Sequence, residues 1–385
     1  MAKESMFTPA AEPPTLLGRY RNLSELAGVH VSPICLGAMS IGDKWHKLGF
    51  AYMDKEQSFK LLDAYYQAGG NFIDTANNYQ DESSEEFLGE WMESRKNRNH
   101  IVIATKYSTD YKRADSNVPP YARINYAGNN AKAMHISVHD SLRKLRTDYI
   151  DILYVHWWGY DTSIPEVMGR LHDLVASGKV LYLGVSDAPA WIVSQANQWA
   201  SDHGKTPFSV YQGAWNVMDR AFERDIIPMA RQWGMALAPW NVLAAGKLRT
   251  DAEEERRRTS GEGGRDTYGA GWERTPEQRK VCQALEQVAK EVGGYSITAV
   301  AIAYLMHKTP YVFPIVGGRK VEHLMDNIDA LKISLTPEQI KFIEGIVPFD
   351  LGFPHSIIGT GRDNVIVYNF SAKTDKVHYT APIHH

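Results

Sequence analysis

The sequence predicts an α/β fold: a single (β/α)8 TIM barrel over residues 1–385, with an N-terminal hairpin, extended loops at the carboxyl-terminal face and a C-terminal tail. Three observations predict it. Eight short apolar runs recur along the chain, each followed by apolar residues at helical spacing. The runs are apolar throughout rather than alternating, as strands buried on both faces are. No G-x-G-x-x-G motif is present, which argues against an open doubly wound sheet.

After a polar tail (residues 1–18), Arg19 to Val31 has the look of a short hairpin, and Pro33 to Met39 reads as the first barrel strand. Asp54 caps a helix with Phe59, Leu62 and Tyr66 on one face, ending at Gly69-Gly70. The second strand runs into Asp74, and a helix carrying Phe87, Leu88, Trp91 and Met92 follows, expected to be capped at Ser83 with Glu86 three residues on. Ile101–Thr105 is the third strand and Ile150–Val155 the fourth; between them lie a long polar connection, Tyr107 to Asn130, and a helix with Met134, Val138, Leu142 and Leu145. Ser163–Glu166 reads as a capping box opening the next helix, which stops at Gly178. Strands five to eight are expected at Val180–Val185, Phe208–Tyr211, Met235–Ala238 and Tyr311–Val316. Helices fill the intervals from Pro189 and around Ile226, then from Thr275 and Ser296; two more run from Val321 to Leu331 and from Thr336, before an extension over 347–385. The charged, glycine-rich segment Asp251 to Gly271 reads equally as a lid over a ligand or as a solvated loop.

A formal charge of -3 with 44% hydrophobic residues gives no reason to expect nucleic acid or a membrane as partner, and leaves the oligomeric state open. Two cysteines, Cys35 and Cys282, sit among apolar neighbours and read as buried thiols, too few for a disulfide framework. The first fifteen residues hold no apolar core and no run approaches a membrane span, so the expectation is a soluble, cytoplasmic chain without a metal. Gly204-Lys205-Thr206 imitates the end of a P-loop, but Trp199 stands where the leading glycine is needed.

Four chemically distinct groups fall at or just past strand ends: Asp74, Tyr79, Lys106 and His156. Alone, each has an ordinary explanation as a cap, a packed ring or a solvated charge. On a parallel barrel all four converge on one mouth. A phenol is a poor proton donor near neutrality; an adjacent ammonium lowers its pKa, and a carboxylate keeps that ammonium charged. An imidazole can hydrogen-bond an oxygen on which charge develops. The set suits carbonyl reduction, for which side chains supply no hydride.

Phe72-Ile73-Asp74-Thr75-Ala76 with Tyr79, Thr105-Lys106 and Tyr154-Val155-His156 resemble the tetrad motifs of the aldo-keto reductase superfamily, and the resemblance runs in order from Arg21 to about Leu331. It implies Tyr79 as general acid, Lys106 and Asp74 as its tuners, and His156 as the carbonyl-orienting group. It also implies that Ser186, Asp187 and Gln212 contact a nicotinamide carboxamide, with Asp187 standing where the family usually has Asn. Trp215 would stack on the nicotinamide, and Trp240 and Gly246 would lie in the loop around the pyrophosphate. Gly317, Arg319, Lys320, His323 and Asn327 resemble an adenosine 2′-phosphate site; two glycines before a helix start and two cations suit a dianion, so NADP(H) is expected over NAD(H). A solvated basic helix start is the plainer reading of the same residues.

The segment Val347 to His355, with His156-Trp157-Trp158 and Trp215, resembles the fungal NADP-dependent aryl-alcohol dehydrogenase branch of that superfamily, some members of which come from lignin-degrading fungi. This implies reversible reduction of aromatic aldehydes, such as methoxylated benzaldehydes (veratraldehyde), to aryl alcohols. Trp45, Trp157, Trp158 and Phe353 could wall an aryl ring or simply pack the loops. Two alternatives stay open: a cofactor-binding regulatory subunit of the channel β-subunit type, or a reductase of another carbonyl such as a polyketide ketone. Missing cysteine ligands argue against a zinc dehydrogenase. A glycosidase barrel would need two carboxylates across its mouth.

Overall fold

The computed structural model describes residues 8–48, 51–261, 271–360, 368, 370–375, 377 and 379–383. Arg21–Ser24 (β1) and Ala27–Val31 (β2) pair as an antiparallel hairpin. Eight parallel strands follow: β3 (Cys35–Gly37), β4 (Phe72–Asp74), β5 (Val102–Tyr107), β6 (Ile150–Val155), β7 (Val180–Ser186), β8 (Val210–Ala214), β9 (Ala236–Trp240) and β10 (Ile315–Val316). They are bonded in the order β10-β3-β4-β5-β6-β7-β8-β9. The ring closes beside β10, where the Leu237 amide donates to Tyr311 (2.9 Å) and the Phe313 amide to Leu237 (2.8 Å). The last strand is shorter than expected because Tyr311 has a left-handed φ of 57° and Pro314 has no N–H to donate.

Helices cover the outside: α1 (Lys55–Gln67), α2 (Ser83–Arg95), α3 (Ala131–Lys144), α4 (Ile164–Ala176), α5 (Ala190–Asp202), α6 (Phe222–Gln232), α7 (Asp251–Ser260), α8 (Pro276–Glu291), α9 (Ile297–Lys308) and α10 (Val321–Ile328). Beyond the barrel lie α11 (Pro337–Ile346) and the short α12 (His355–Ile358). Six starts carry a side-chain cap at or beside the expected boundary: Asp54, Asn130, Ser163, Thr275, Ser296 and Thr336. At Ser163 only half of the expected box forms, because Glu166 accepts from the Ala131 amide instead. The Ser83 cap does not form. Glu82 occupies the cap position in a left-handed conformation, and the Ser83 hydroxyl donates to the Gln80 carbonyl.

The segment read as a loop from Asp251 also differs. Its first ten residues form α7, since Thr250 caps the Glu253 amide and the acid-first, base-last order opposes the helix dipole. Residues 262–270, where a lid would continue, lie outside the described residues. In the tail, Arg224 donates to the carbonyls of Leu351 (2.9 Å) and Asp350 (3.2 Å), and Arg220 and Arg224 both face the Phe349 ring.

Strand alternation divides the core and aims the site. Cys35, Phe72, Val102, Ala104, Ile152, Tyr154, Val210, Ala236, Ala238 and Phe313 fill the lumen, and Leu23, Ala27 and Val31 of the hairpin pack with them, plugging the amino-terminal end. Ile73, Ile103, Leu153, Val155 and Tyr211 face outward against the helices. The next inward positions after Phe72, Ala104, Tyr154 and Val210 are Asp74, Lys106, His156 and Gln212. Four polar groups thereby rise from an apolar floor at the carboxyl ends. Gly184 is required there: a Cβ on it would lie 2.5 Å from the Tyr154 ring. Cys35 and Cys282 are free and buried. Among the described residues no helix is long and apolar enough to cross a membrane.

Candidate active site

Asp74 ends β4 with its carboxylate buried and both oxygens engaged. Oδ1 accepts from Lys106 Nζ at 2.5 Å, and Oδ2 accepts from Gln212 Nε2 at 2.9 Å. Lys106, on β5, is buried and also donates to the Thr75 carbonyl (2.7 Å) and to the Tyr79 hydroxyl (3.3 Å). Its ammonium is therefore fully coordinated by oxygens, which is what an unsolvated cation needs. Burial works against that charge, yet Asp74 and Tyr79 outweigh it and the Lys106 pKa is raised.

Tyr79 sits on the turn between β4 and α2. Its ring meets Trp45 edge-on (centroids 6.2 Å) and His156 edge-on (5.9 Å). The expectation that the ammonium lowers the phenol's pKa holds only for that one contact. Burial pushes the phenol up, Lys106 pulls it down, Asp74 pushes it up again, and the net direction is upward. The hydroxyl is thus held as a proton donor through neutral pH.

The turn itself is strained. Gln80, Asp81 and Glu82 all have positive φ (53°, 48° and 81°), where non-glycine residues are uncommon. Side chains on every side hold it. Gln80 donates to the carbonyls of Met39 and Ala51 and accepts from the Trp45 amide. Asp81 pairs with Arg113 at 2.7 Å. Glu82 pairs with Lys112 (2.7 Å) and Lys144 (3.1 Å), and Lys144 pairs with the fully buried Glu85 at 2.8 Å. Thr105, the outward neighbour of Lys106, donates to the other Glu85 oxygen at 2.5 Å. Glu82 and Glu85, at the start of α2, anchor the Tyr79 turn through these pairs.

His156 follows β6, its amide bonded to the Tyr107 carbonyl. Nδ1 lies 3.2 Å from the Thr109 hydroxyl, which also accepts from Trp157 Nε1 at 3.0 Å. Burial, reinforced by the Lys106 charge, holds the imidazole pKa down at about 3, so the ring is neutral. Nothing in the spacing of Thr109, three residues past Lys106, marked it from sequence.

The expected cofactor residues divide. Ser186, buried, ends β7 beside Gln212, and Asp187 follows with a left-handed φ of 43°. Burial raises the Asp187 pKa against the Trp240 hydrogen bond and the Lys106 charge. Gln212 has committed one amide hydrogen to Asp74. Trp215 differs from expectation: it is fully buried, stacked parallel on Phe222 (5.2 Å, 6°) and bonded to Glu223, so its ring presents no open face. Trp240 is partly exposed at the end of β9, its N–H on Asp187 at 3.1 Å. Gly246 closes a turn in which Asn241, Ala244 and Ala245 also have positive φ, a concentration of strain suited to a ligand loop.

Gly317 and Gly318 lead into α10, whose first turn has no side-chain cap. Arg319, Lys320 and His323 are exposed there, with Asn327 buried one turn on. Neither Arg319 nor Lys320 has a carboxylate partner among the described residues. Of the aromatic residues, Trp45 touches Tyr79, Trp157 and Trp158 follow His156 directly in the chain, and Phe353, on the tail, is 81% exposed. Arg224, in the first turn of α6, holds the tail just before it through the carbonyls of Asp350 and Leu351. Among the described residues no cluster of three or more His, Cys, Asp or Glu could hold a metal ion.

The aldo/keto reductase family model matches residues 33–348. An aryl-alcohol dehydrogenase [NADP(+)] of Phanerodontia chrysosporium is 64% identical, with 97% of each chain covered. An aldo-keto reductase (ausK) of Aspergillus calidoustus is 52% identical over 92% of this chain and 88% of its own. Norsolorinic acid reductase B of Dothistroma septosporum is 52% identical over 88% and 84%.

Proposed function

This chain belongs to the aldo/keto reductase family, and from that premise we propose that it is an NADP(H)-dependent oxidoreductase that reversibly reduces aromatic aldehydes to aryl alcohols. The observation that carries the chemistry is one ammonium bonded to both a buried carboxylate and a phenol: Lys106 to Asp74 at 2.5 Å and to Tyr79 at 3.3 Å. The aryl preference rests on the 64% identical relative, on Trp45 edge-on to Tyr79, and on Trp157 and Trp158 directly after His156.

The residues fit a phosphorylated dinucleotide. Arg319 and Lys320, without a carboxylate partner among the described residues, lie at the uncapped start of α10 and suit a phosphate, with His323 and Asn327 beside them. Gly246 with its strained neighbours would take the pyrophosphate. Ser186, Asp187 and Gln212 would hold the carboxamide; Asp187 can accept from its NH2 group, and so can Gln212 through Oε1. When bound, the nicotinamide supplies the hydride. Trp240, exposed and already fixed by Asp187, is better placed to meet a flat ring than the covered Trp215.

Tyr79 donates the proton to the carbonyl oxygen as charge builds on it, and Lys106 stabilises the phenolate left behind. Asp74 keeps Lys106 charged and aimed, and Gln212 keeps Asp74 aimed. Neutral His156 offers a ring nitrogen to the same oxygen, orienting the carbonyl. In the alcohol-oxidising direction the same groups run in reverse. The substrate we favour is a methoxylated benzaldehyde of the veratraldehyde type, which would suit a role in aromatic breakdown such as lignin degradation. We also read residues 1–385 as one functional unit, with 347–385 an extension, acting in the cytoplasm.

A second reading, reduction of a different carbonyl, is favoured by the name of the Dothistroma relative. Following NADPH absorbance with a panel of benzaldehydes and polycyclic aromatic ketones decides between them. Turnover of benzaldehydes at ordinary enzyme rates of about 1–1000 per second supports the proposal. Turnover confined to ketones supports the second reading, and tight NADPH binding without turnover would indicate a regulatory subunit instead.

A further inference from the structure

We infer that Thr109 is a positioning residue that sets the tautomer of His156, holding its proton on Nε2 for the substrate oxygen. The inference rests on the reading of His156 as the carbonyl-orienting group and deepens it.

The Thr109 hydroxyl has one proton to give and two lone pairs to fill. Thr109 Oγ1 lies 3.0 Å from Trp157 Nε1 and 3.2 Å from His156 Nδ1. An indole nitrogen can only donate, so Trp157 occupies one of the two lone pairs on Oγ1. The hydroxyl has a single hydrogen of its own, and His156 Nδ1 is its remaining partner among the described residues. If Thr109 donates to Nδ1, both polar atoms are satisfied and the imidazole proton must reside on Nε2. If Nδ1 carried the proton instead, it would donate to the second lone pair and the Thr109 hydrogen would be left without a protein acceptor.

The ring's charge state closes the remaining route. A doubly protonated imidazolium would donate from Nδ1 whatever Thr109 did, but burial and the Lys106 cation keep His156 neutral. Nε2 itself has no protein partner among the described residues, and the ring stands edge-on to Tyr79. A neutral imidazole with its proton on Nε2 can donate to a carbonyl oxygen; the other tautomer would present a lone pair and repel it. Trp157 therefore has a task distinct from contacting an aryl ring. Its N–H orients the hydroxyl that orients the imidazole.

The test is histidine 15N NMR on the full-length protein, with the His156 signals identified by their loss in His156→Gln, alongside NADPH-coupled aldehyde reduction. The inference expects an Nε2–H pattern for His156 in the wild type and in Thr109→Ser. It expects a loss of that pure pattern in Thr109→Val, with kcat down about tenfold, the size of one hydrogen bond. NADPH affinity and melting temperature should stay level with those of Thr109→Ser. An Nδ1–H pattern in the wild type, or a Thr109→Val enzyme with unchanged pattern and kcat, would overturn it. The two proposals fail separately. A wild type inert to every aldehyde but showing the Nε2–H pattern that Thr109→Val loses sinks the aldehyde reading and upholds the relay; an active wild type with Nδ1–H does the reverse.

Discussion

Replacing Lys144 by Met should cost both stability and turnover, and the structure gives the size. The Lys144 ammonium is fully buried between Glu85 (2.8 Å) and Glu82 (3.1 Å), and it also donates to the Asn77 carbonyl on the Tyr79 turn. Methionine fills similar space but leaves the buried Glu85 carboxylate, among the described residues, with only the Thr105 hydroxyl. Breaking one side of a buried pair typically costs about 3–5 kcal/mol. At about 2.1 cal/mol/K of unfolding entropy per residue, 385 residues give about 0.8 kcal/mol/K, so the melting temperature should fall by about 4–6 °C. Burial opposes the Lys144 charge, but Glu85 and Glu82 outweigh it and raise its pKa. The contribution is therefore complete below the ordinary lysine value and lost only as pH rises through the raised one. Calorimetry at neutral pH reads the loss, and kcat for aldehyde reduction should fall with it because the strained turn carries Tyr79. In the double variant Lys144→Met/Glu85→Gln the stranded charge is gone, and most of the stability should return. A single variant within about 1 kcal/mol of wild type, or a double variant worse than the single, would refute the reasoning.

Tyr79→Phe should lower aldehyde reduction by roughly 100- to 10,000-fold while fluorescence titration shows NADPH binding nearly intact; retained turnover would remove Tyr79 from its role. Arg319→Ala should weaken NADPH by about 10- to 150-fold, the worth of a charged hydrogen bond, and leave NADH unchanged. Asp187→Asn should tighten NADPH several-fold by adding a donor for the carboxamide, and Asn tolerates the left-handed φ at this position; calorimetric titration showing weaker binding would count against it. The pH profile of kcat/KM for reduction should have no inflection between about 6 and 7, since His156 titrates at about 3, and should hold until the raised Tyr79 value is approached on the alkaline side.

Much of this molecule is legible in its sequence because strands buried on both faces announce themselves as unbroken apolar runs. The four polar groups Asp74, Tyr79, Lys106 and His156 were legible for the same reason: each lies at or just past the end of such a run. What escaped was decided by side-chain choices with no periodic signature. Thr109 and Trp157 meet across two loops 48 residues apart. Glu85 falls where a helix ordinarily exposes its first acids, and only the nearness of Lys144 from α3 draws it inward. Trp215 stands at a position that suggested stacking, but Phe222 from the next helix covers it first. The Ser83 cap failed because three left-handed residues swing the chain past the geometry a capping box requires.

The inward–outward alternation of β4, β5 and β8 has an evolutionary consequence. Deleting one residue from β5 upstream of Lys106 would turn the lysine toward α2 and bring Thr105 into the lumen, so changes of length inside the strands are lethal to chemistry. Insertions in the connections beyond the strand ends carry no such penalty. Diversification of this lineage should accordingly proceed by trading loops around an unchanged set of strand ends, consistent with relatives about half identical to this chain that bear the names of different reductases.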